Sequence, residues 1–369
     1  MTAIRAWVAQ ALTGNIVGEV TLAGSSSWSS RFGGGTFRAG ISVGHLLTRD
    51  RTKIDWAAVS RVVSWCTGGR YTLVLTRGTT CLGEWLIMRH TETTTDGVLQ
   101  VEGMEWDGYP ALRSLNDNYI YTGVDQITIA RTLLQAAFVS YQPTMQITIP
   151  TATSGVARTM DYKSHSAYYG DLLDEISEPD DGFDWRVAPT LTWSAGAPTK
   201  VTRTIEFGYP AISRATQIVI DHDGPGARSG NCTAFDQGYD FRRAAQSVYG
   251  IGAGEGGKQK WVGLSDPTLT NQGYLITTKN VTFPGVKDIP TLTALTRGAL
   301  AAAQILRDPA QATLLVEKIP AWPRVGDQVG IDVEPTYTLP AGREGTARLG
   351  DVSFSLTGHH TATVTVQAI

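Results

Sequence analysis

Three glycines in the stretch "VYGIGAGEGGKQKW" (248–261) reproduce the G-x-G-x-x-G pattern of dinucleotide-binding turns; they are Gly252, Gly254 and Gly257. A dinucleotide site requires a strand before the glycines and, after them, a helix whose N-terminal amides hold the pyrophosphate. The segment "AQSVYGI" is typical of a strand, but "KQKWVGL" alternates like a second strand rather than a helix. We therefore predict a glycine turn in a β-hairpin, and no cofactor-binding residues.

Acidic residues are concentrated around one short helical segment, where two carboxylates could divide the acid and base roles of glycan hydrolysis. Several of them lie on the outer face and at the end of that segment, where solvated charge is expected. We therefore predict no catalytic residues in this acidic cluster. Its members are Asp171, Asp174, Glu175, Glu178, Asp180, Asp181 and Asp184.

Two histidine-containing stretches carry side chains that can bind metals. In the triplet Asp221-His222-Asp223, neighbouring strand residues point to opposite faces, so at most Asp221 and Asp223 converge. The pair His359-His360 follows a glycine between two strands, a position typical of solvent-facing histidines. We predict no metal site at either stretch.

Composition and missing motifs favour a structural or binding protein over an enzyme. Charged residues make up 18% of the 369 residues, against about 25% in an average soluble protein. The net charge of −3 and the absence of a basic cluster argue against sequence-specific nucleic-acid binding. The sequence contains no G-x-S-x-G, H-E-x-x-H or Walker lysine motif. Cys66, Cys81 and Cys232 lack the C-x-x-C spacing of zinc sites, so we predict free thiols.

The order of patterns along the chain divides it into three parts. Alternating apolar residues and glycine turns at 1–112 predict a first β domain, with a hairpin at 70–91. Residues 113–215 combine helical and strand periodicity, and residues 216–369 return to alternation. No stretch of 18 apolar residues occurs, so we expect no membrane-spanning segment.

Three segments have helical periodicity. The segment 123–139 repeats apolar residues at i, i+3, i+4 and i+7, with Asp125 as its expected cap. The segment 166–177 has Ser166 as its expected cap. A third helix is predicted at 289–306, with Pro290 near its start.

Several longer segments occur in a characteristic order. "LTGNIVGEVTLAGSSSWSSRFGGGTFRAGISV" places a Trp-Ser strand before a glycine-rich turn and an alternating strand. "GVDQITIARTLLQAA" and "DYKSHSAYYGDLLDEISEPDDGFDWRV" supply two helices, and "TIEFGYPAI", "VYGIGAGEGGKQK" and "WPRVGDQVGIDV" follow. In this order the segments resemble the tail-tip hub proteins, often called minor tail proteins, of long-tailed phages that infect actinobacteria. The resemblance covers nearly the whole chain.

That family is similar to the hub of contractile-tail baseplates. The resemblance implies an α+β, mostly β fold, with β-barrel-like domains at 1–112 and 216–369 and a small α/β module at 113–215. It implies a non-enzymatic structural protein at the tail tip of a virion, assembled in the host cytoplasm. As a homotrimer, the protein would form a ring between a six-fold tail tube or distal tail protein above and a three-fold spike, fibre or other minor tail proteins below. Phage DNA would pass through its channel without sequence-specific binding.

Two other functions are open at this point. One is a cell-wall-acting glycan hydrolase that uses the acidic cluster. The other is a carbohydrate-binding β module that recognises a surface through exposed aromatic side chains. Four tryptophans are candidates for that role: Trp28, Trp85, Trp261 and Trp322.

Overall fold

Strands dominate the structure, a computed structural model of the chain, so the predicted α+β, mostly β class is confirmed. For residues 24, 25 and 368 only the backbone is described. The described residues are 3–47, 53–91, 97–140, 145–178, 181–224, 229–254, 256–306, 309–356 and 361–368.

The first part of the chain forms a closed antiparallel β-barrel. Its six strands are β1 (Ile4–Gln10), β2 (Ile16–Arg31), β3 (Thr36–Ser42), β4 (Tyr71–Arg77), β5 (Thr80–Thr91) and β6 (Val98–Glu105). Around the barrel the order is β1-β4-β5-β6-β3-β2, and β2 pairs again with β1. The β4–β5 pair turns between Arg77 and Thr80, which confirms the predicted hairpin. Closure leaves no open edge around this ring of strands.

One helix in this part, α1 (Trp56–Trp65), was not predicted. The Asp55 carboxylate caps it by accepting a hydrogen bond from the Ala58 amide at 2.9 Å. Val62 is buried in the barrel core, and the Trp65 ring occupies the space over Gly18 that a Cβ atom would fill. The helix is short and rich in valine, a residue that favours strands, so periodicity alone did not separate it from the surrounding β pattern.

The α/β module packs two helices against short strands. Its elements are β7 (Tyr119–Asp125), α2 (Gln126–Phe138), β8 (Ile147–Thr148), β9 (Ala157–Tyr162), α3 (Tyr169–Ser177), β10 (Asp184–Ser194) and β11 (Ala197–Gly208). The predicted cap of α2 is confirmed, because Asp125 Oδ1 accepts from the amides of Ile127 and Thr128. The predicted Ser166 cap is wrong. The Ser166 hydroxyl donates to a carbonyl oxygen upstream, and α3 begins at Tyr169.

The third part contains the remaining strands and helices. They are β12 (Arg214–His222), β13 (Cys232–Asp236), β14 (Ser247–Ile251), β15 (Trp261–Ser265), α4 (Thr268–Asn271), β16 (Thr278–Thr282), α5 (Ile289–Ala303), β17 (Ala310–Leu315), β18 (Asp327–Val333), β19 (Arg343–Ser355) and β20 (Thr361–Ala368). Longer than the other helices, α5 has 15 residues, whereas a bilayer requires about 20. No helix among the described residues combines the length and apolar character needed to cross a membrane.

Six of these strands form a second, barrel-like sheet in the order β13-β17-β20-β19-β18-β12. The outer strands β12 and β13 approach each other, and the Asn231 side chain bridges them. Its amide nitrogen donates to the Val219 carbonyl at 2.7 Å, and its oxygen accepts from the Asp221 amide at 3.1 Å. The Asn231 side chain therefore links β12 to β13, the two strands at the ends of the backbone ladder.

The two β domains share one sheet and one core. Strand β19 pairs with the distal half of β2, with Phe354 opposite Trp28. The Phe354 ring stacks between Trp28 at 5.7 Å and Trp322 at 4.1 Å, measured between ring centroids. Apolar side chains of both domains belong to the same buried cluster. The two domains are therefore continuous in backbone hydrogen bonding and in packing.

A small α/β unit is inserted between β13 and β17. Its sheet has the order β15-β14-β16, and α5 covers one face. Strands β14 and β15 pair in antiparallel fashion, so the glycine pattern lies in a hairpin connection, as predicted. Gly254 has φ +118° and Gly256 has φ +53°, values that favour glycine. Asp288 caps α5, which ends at Ala303.

Replacing Gly254 by Val should destabilise the protein by about 1–3 kcal/mol, because a β-branched residue is strained at this φ. Its Cβ atom would also lie 2.5 Å from the Lys258 carbonyl oxygen. Urea denaturation would measure the loss. Gly257→Ala is the matched control, because a Cβ atom there meets nothing within 4 Å. Micromolar binding of NAD to the wild type, abolished in the Gly254 variant, would contradict the assignment as a structural turn.

Candidate functional site

A completely buried ion pair joins the first barrel to the α/β module. Glu84 on β5 and Arg203 on β11 both have 0% exposed side chains. Arg203 Nε and Nη2 donate to the two carboxylate oxygens of Glu84 at 2.8 and 2.6 Å. The Thr72 hydroxyl donates to Glu84 at 2.7 Å, and Arg203 Nη1 donates to the Ala11 carbonyl at 2.8 Å. These bonds satisfy the charged groups that burial would otherwise penalise.

The Arg203 guanidinium also lies over the Trp106 ring, 4.5 Å from its centroid. Trp106 is 3% exposed and packs in the core of the α/β module. A buried cation over an aromatic face gains electrostatic stabilisation in addition to its hydrogen bonds. One arginine therefore contacts the barrel wall and the core of the module together.

Two ion-paired arginines meet where the module contacts the second β domain. Arg186 on β10 donates to Glu206 on β11 at 2.7 Å, and Arg214 on β12 donates to Asp327 on β18 at 3.0 Å. Both arginines also donate to the Val325 carbonyl, at 3.4 and 2.6 Å. That one carbonyl oxygen therefore accepts hydrogen bonds from two parts of the chain.

Two carboxyl groups, Glu105 and Asp107, line a cavity of about 140 Å³ between the three parts. Glu105 Oε2 accepts from the Gly35 amide at 2.8 Å, and Asp107 Oδ1 accepts from the Val187 amide at 2.6 Å. Burial raises the pKa of Glu105 to about 7, in spite of these hydrogen bonds. Burial and the nearby Glu105 charge raise the pKa of Asp107 well above its ordinary value.

Together these residues form the junction, defined here as Glu84, Glu105, Asp107, Arg186, Arg203, Glu206, Arg214 and Asp327. Its carboxylates are occupied by arginine side chains and backbone amides. Its chemistry is that of a joint that fixes three parts of the chain against one another. The described residues contain no group of three or more His, Cys, Asp or Glu side chains able to hold a metal ion.

The structure separates Asp181 and Asp184 from the rest of the acidic cluster, of which four members stay together on or at the end of α3. Asp181 pairs with Arg158, and Asp184 binds Arg348 and the Ile212 amide in a different part of the fold. On α3, burial raises the pKa of Asp174 to about 6 and that of Glu175 to about 7. Burial and the nearby Glu175 charge raise the pKa of Tyr162. Asp171 closes the first turn of α3, Glu178 is its C-cap, and Asp180 lies outside the described residues.

The candidate metal residues do not converge either. Asp221 and His222 belong to β12, whereas Asp223 follows the strand and accepts hydrogen bonds from Ser229 and Gly230. Asp223 therefore closes a loop instead of facing Asp221. His359 and His360 lie outside the described residues.

Cysteines and tryptophans divide by burial. Cys66 and Cys232 are buried and Cys81 is half-buried; all three are free thiols, as predicted.

Three of the four tryptophans proposed as surface contacts are in the core: Trp28 is 4% exposed, Trp85 0% and Trp322 8%. These three tryptophans do not support the alternative of a glycan-binding surface, because their rings pack between strands of the two β domains. Trp261, in contrast, is 65% exposed.

Sequence reasoning did not find the junction. Arg203 alternates with the buried residues Val201 and Ile205 on one face of β11. Glu84 is a charged residue within a buried run of β5, beside Trp85. A charge at an apolar position of an alternating strand was the available signal, because such a residue needs a buried partner. The identity of that partner depends on a contact 119 residues away.

Three solved structures of tail proteins are similar to the chain over nearly its whole length. The tail protein from Neisseria meningitidis MC58 has 12% identity and a TM-score of 0.62, with 98% of this chain and 96% of that chain covered. The prophage MuSo2 43 kDa tail protein from Shewanella oneidensis has 11% identity and a TM-score of 0.56, with 99% and 98% covered. The prophage tail protein gp18 from Listeria monocytogenes EGD-e has 12% identity and a TM-score of 0.52, with 98% and 94% covered.

At these identities the similarity concerns the fold, and the chain has the fold of these tail proteins. No protein-family model matches the sequence, and no curated protein matches it significantly. The predicted resemblance to tail proteins is thus confirmed at the level of the fold. The assignment to phages of actinobacteria remains a prediction.

Arg203→Met should destabilise the protein by about 3–5 kcal/mol, because it leaves the Glu84 carboxylate buried without its cation. Urea denaturation monitored by tryptophan fluorescence would measure the change. The double variant Arg203→Met/Glu84→Leu should recover most of the loss, because it removes both charges. Arg5→Met, which breaks an exposed pair with Glu19 at 2.7 Å, is the control and should have little effect. Equal losses in the Arg203 and Arg5 variants would contradict the role of the buried pair.

Glu105→Gln should make the protein less sensitive to rising pH. The folded protein holds a proton on Glu105 up to a pKa of about 7, above the ordinary value of 4.5. Native protein thus binds more protons than unfolded protein between these values, and this contribution to stability is lost as pH rises through them. The variant should match the wild type at pH 4 and melt at a higher temperature at pH 8.

Melting curves at both pH values would test this expectation. Glu102→Gln on the same strand, whose side chain is 42% exposed and pairs with Arg38, controls for the loss of one negative charge. A Glu105 variant that is less stable than the wild type at pH 8 would contradict a protonated Glu105 in the fold.

Proposed function

We propose that the protein is a structural hub of a phage tail tip or baseplate. The carrying observation is the fold: a closed barrel is hydrogen-bonded through β2 and β19 to a second barrel-like sheet, and nearly the whole chain superposes on solved tail proteins. The protein would reside in the virion after assembly in the host cytoplasm. Its source would be a long-tailed phage of actinobacteria, as the order of sequence segments indicates.

In this proposal three copies form a ring. Each copy supplies two barrel-like domains, so a trimer presents six similar positions to a six-fold tail tube or distal tail protein above. Its true three-fold symmetry fits a spike, a fibre or other minor tail proteins below. The shared β2–β19 ladder and the stacked Trp28, Phe354 and Trp322 rings support this arrangement, because they hold the two domains of one copy at a fixed spacing. The ring closes when head-to-tail contacts between neighbouring copies complete a full rotation.

In this proposal a groove along the shared sheet faces the channel through which DNA passes. It has a volume of about 560 Å³ and is lined by hydroxyl groups of β2, β19 and β20, including Ser27, Ser353 and Thr363. The charges of Arg38 and Glu102 at its border oppose each other in an ion pair. A neutral wall would let DNA slide, whereas a basic wall would bind its phosphates.

The proposed function is non-enzymatic. Two members of the acidic cluster that a glycan hydrolase would require, Asp181 and Asp184, are engaged in ion pairs with Arg158 and Arg348. The carboxyl groups of the junction are engaged in holding three parts of the chain together. These contacts favour a structural role over a hydrolase.

Electron microscopy of the purified protein, alone and with tail-tube protein, tests the proposal. We expect a three-fold ring with two barrel-like domains per subunit, and a solution mass of three times 39.7 kDa. Light scattering over a range of protein concentrations would establish the mass independently. A protein that stays monomeric at high concentration and in the presence of tail tubes would overturn the proposal.

A further inference from the structure

One face of the inserted unit is open to solvent. Helix α5 covers the inner face of the β15-β14-β16 sheet, where Val248 packs with Leu300 and Ala303. On the opposite face, Tyr249 and Trp261 are 41% and 65% exposed. Among the described residues, α5 is the helix that packs extensively on β14 and β15.

The strand register defines this outer face, called here the aromatic face. Residues that pair across the three strands point to the same side, so each triple forms one row. None of the side chains in the rows is ionisable at neutral pH. The rows are Ser265-Ser247-Thr278, Gly263-Tyr249-Asn280 and Trp261-Ile251-Thr282.

Gly263 sets the shape of the aromatic face. A Cβ atom at Gly263 would lie 2.8 Å from Cε1 of Tyr249 and 3.6 Å from the Trp261 ring. The missing side chain therefore makes room for both rings close to the sheet. Their centroids are 6.3 Å apart and their planes are inclined by 59°. The two rings thus form a low platform beside hydroxyl and amide groups.

We propose that the aromatic face binds a neutral glycan chain. Sugar rings carry apolar C–H faces that pack on aromatic rings, and their hydroxyl groups form hydrogen bonds with side chains of the Ser, Thr and Asn type. Ser247 and Ser265 lie 2.8 Å apart, oxygen to oxygen, and Asn280 lies opposite Tyr249 on the edge strand. The lack of a charged side chain in the three rows favours an uncharged ligand over an acidic polymer.

The size of the face favours a glycan over a protein. Strands are spaced about 4.8 Å apart and rise about 3.3 Å per residue, so three rows on three strands cover roughly 10 by 13 Å. A stable protein interface buries about 800 Å² on each partner, several times this area. A short run of sugar rings fits it. This inference does not depend on the proposed ring, because the face lies within one chain.

Isothermal titration of the purified protein tests the inference. The probes are four neutral hexasaccharides, namely maltohexaose, cellohexaose, mannohexaose and chitohexaose, with hexagalacturonic acid as a charged comparison. We expect binding of at least one neutral probe and weaker or no binding of the acidic one. Trp261→Ala and Tyr249→Ala should each weaken binding by about tenfold or more, the usual scale for losing one stacked ring.

Two further variants separate the platform from general effects. Gly263→Val keeps both rings but fills the space beneath them, so it should also weaken binding, while valine is well tolerated in a strand. Trp56→Ala removes a tryptophan that is 69% exposed on α1 and should leave binding unchanged. Circular dichroism would verify that each variant is folded.

Three results would overturn the inference. The first is that none of the neutral probes binds the wild type at millimolar concentration. The second is binding that survives Trp261→Ala or falls equally in Trp56→Ala. The third is a change of oligomeric mass in Trp261→Ala, which would assign the aromatic face to a contact between protein chains.

Discussion

The hydrogen-bonded ladder between β2 and β19 is the constraint on which the rest of the arrangement depends. Strand β2 belongs to the first barrel at its start and to the shared sheet at its end, where Trp28 lies opposite Phe354. Successive side chains of each strand point to opposite faces of the sheet. The same ladder therefore places apolar rings inside and hydroxyl groups such as Ser29 and Ser353 outside. The packing between the two β domains and the surface chemistry of the shared sheet both follow from this single pairing.

Charges hold the α/β module to that framework, together with a β-bridge from Asn15 to Lys200 and apolar packing of Trp7 with Val201. Arg203 reaches Glu84 in the first barrel, and Arg186 and Arg214 meet at one carbonyl oxygen near the second β domain. A buried arginine without its partner is strongly unfavourable, so these contacts penalise any arrangement in which the module is displaced. The ladder thus positions the β domains, and the ion pairs fix the orientation of the module between them.

Local patterns were readable from the sequence, whereas contacts between distant segments were not. The β4–β5 hairpin, the cap at Asp125 and the glycine turn before β15 followed from alternation, capping chemistry and the conformational range of glycine. Burial of Trp28 and Trp322 did not, because tryptophan suits both cores and binding surfaces. The Arg203–Glu84 pair also escaped prediction, since only the folded topology brings these strands together. The three domain boundaries remain predictions.

The placement of β19 also orders the events of synthesis. All strands of the first barrel lie within residues 4–105, so this barrel can close while the rest of the chain is still on the ribosome. The distal half of β2, from Ser27 to Arg31, then keeps one unpaired edge until residues 351–355 emerge. At ordinary translation rates this interval is on the order of tens of seconds. During it, a half-formed sheet edge is available for mispairing with a neighbouring nascent chain, so folding of this protein is most vulnerable after its first domain is complete.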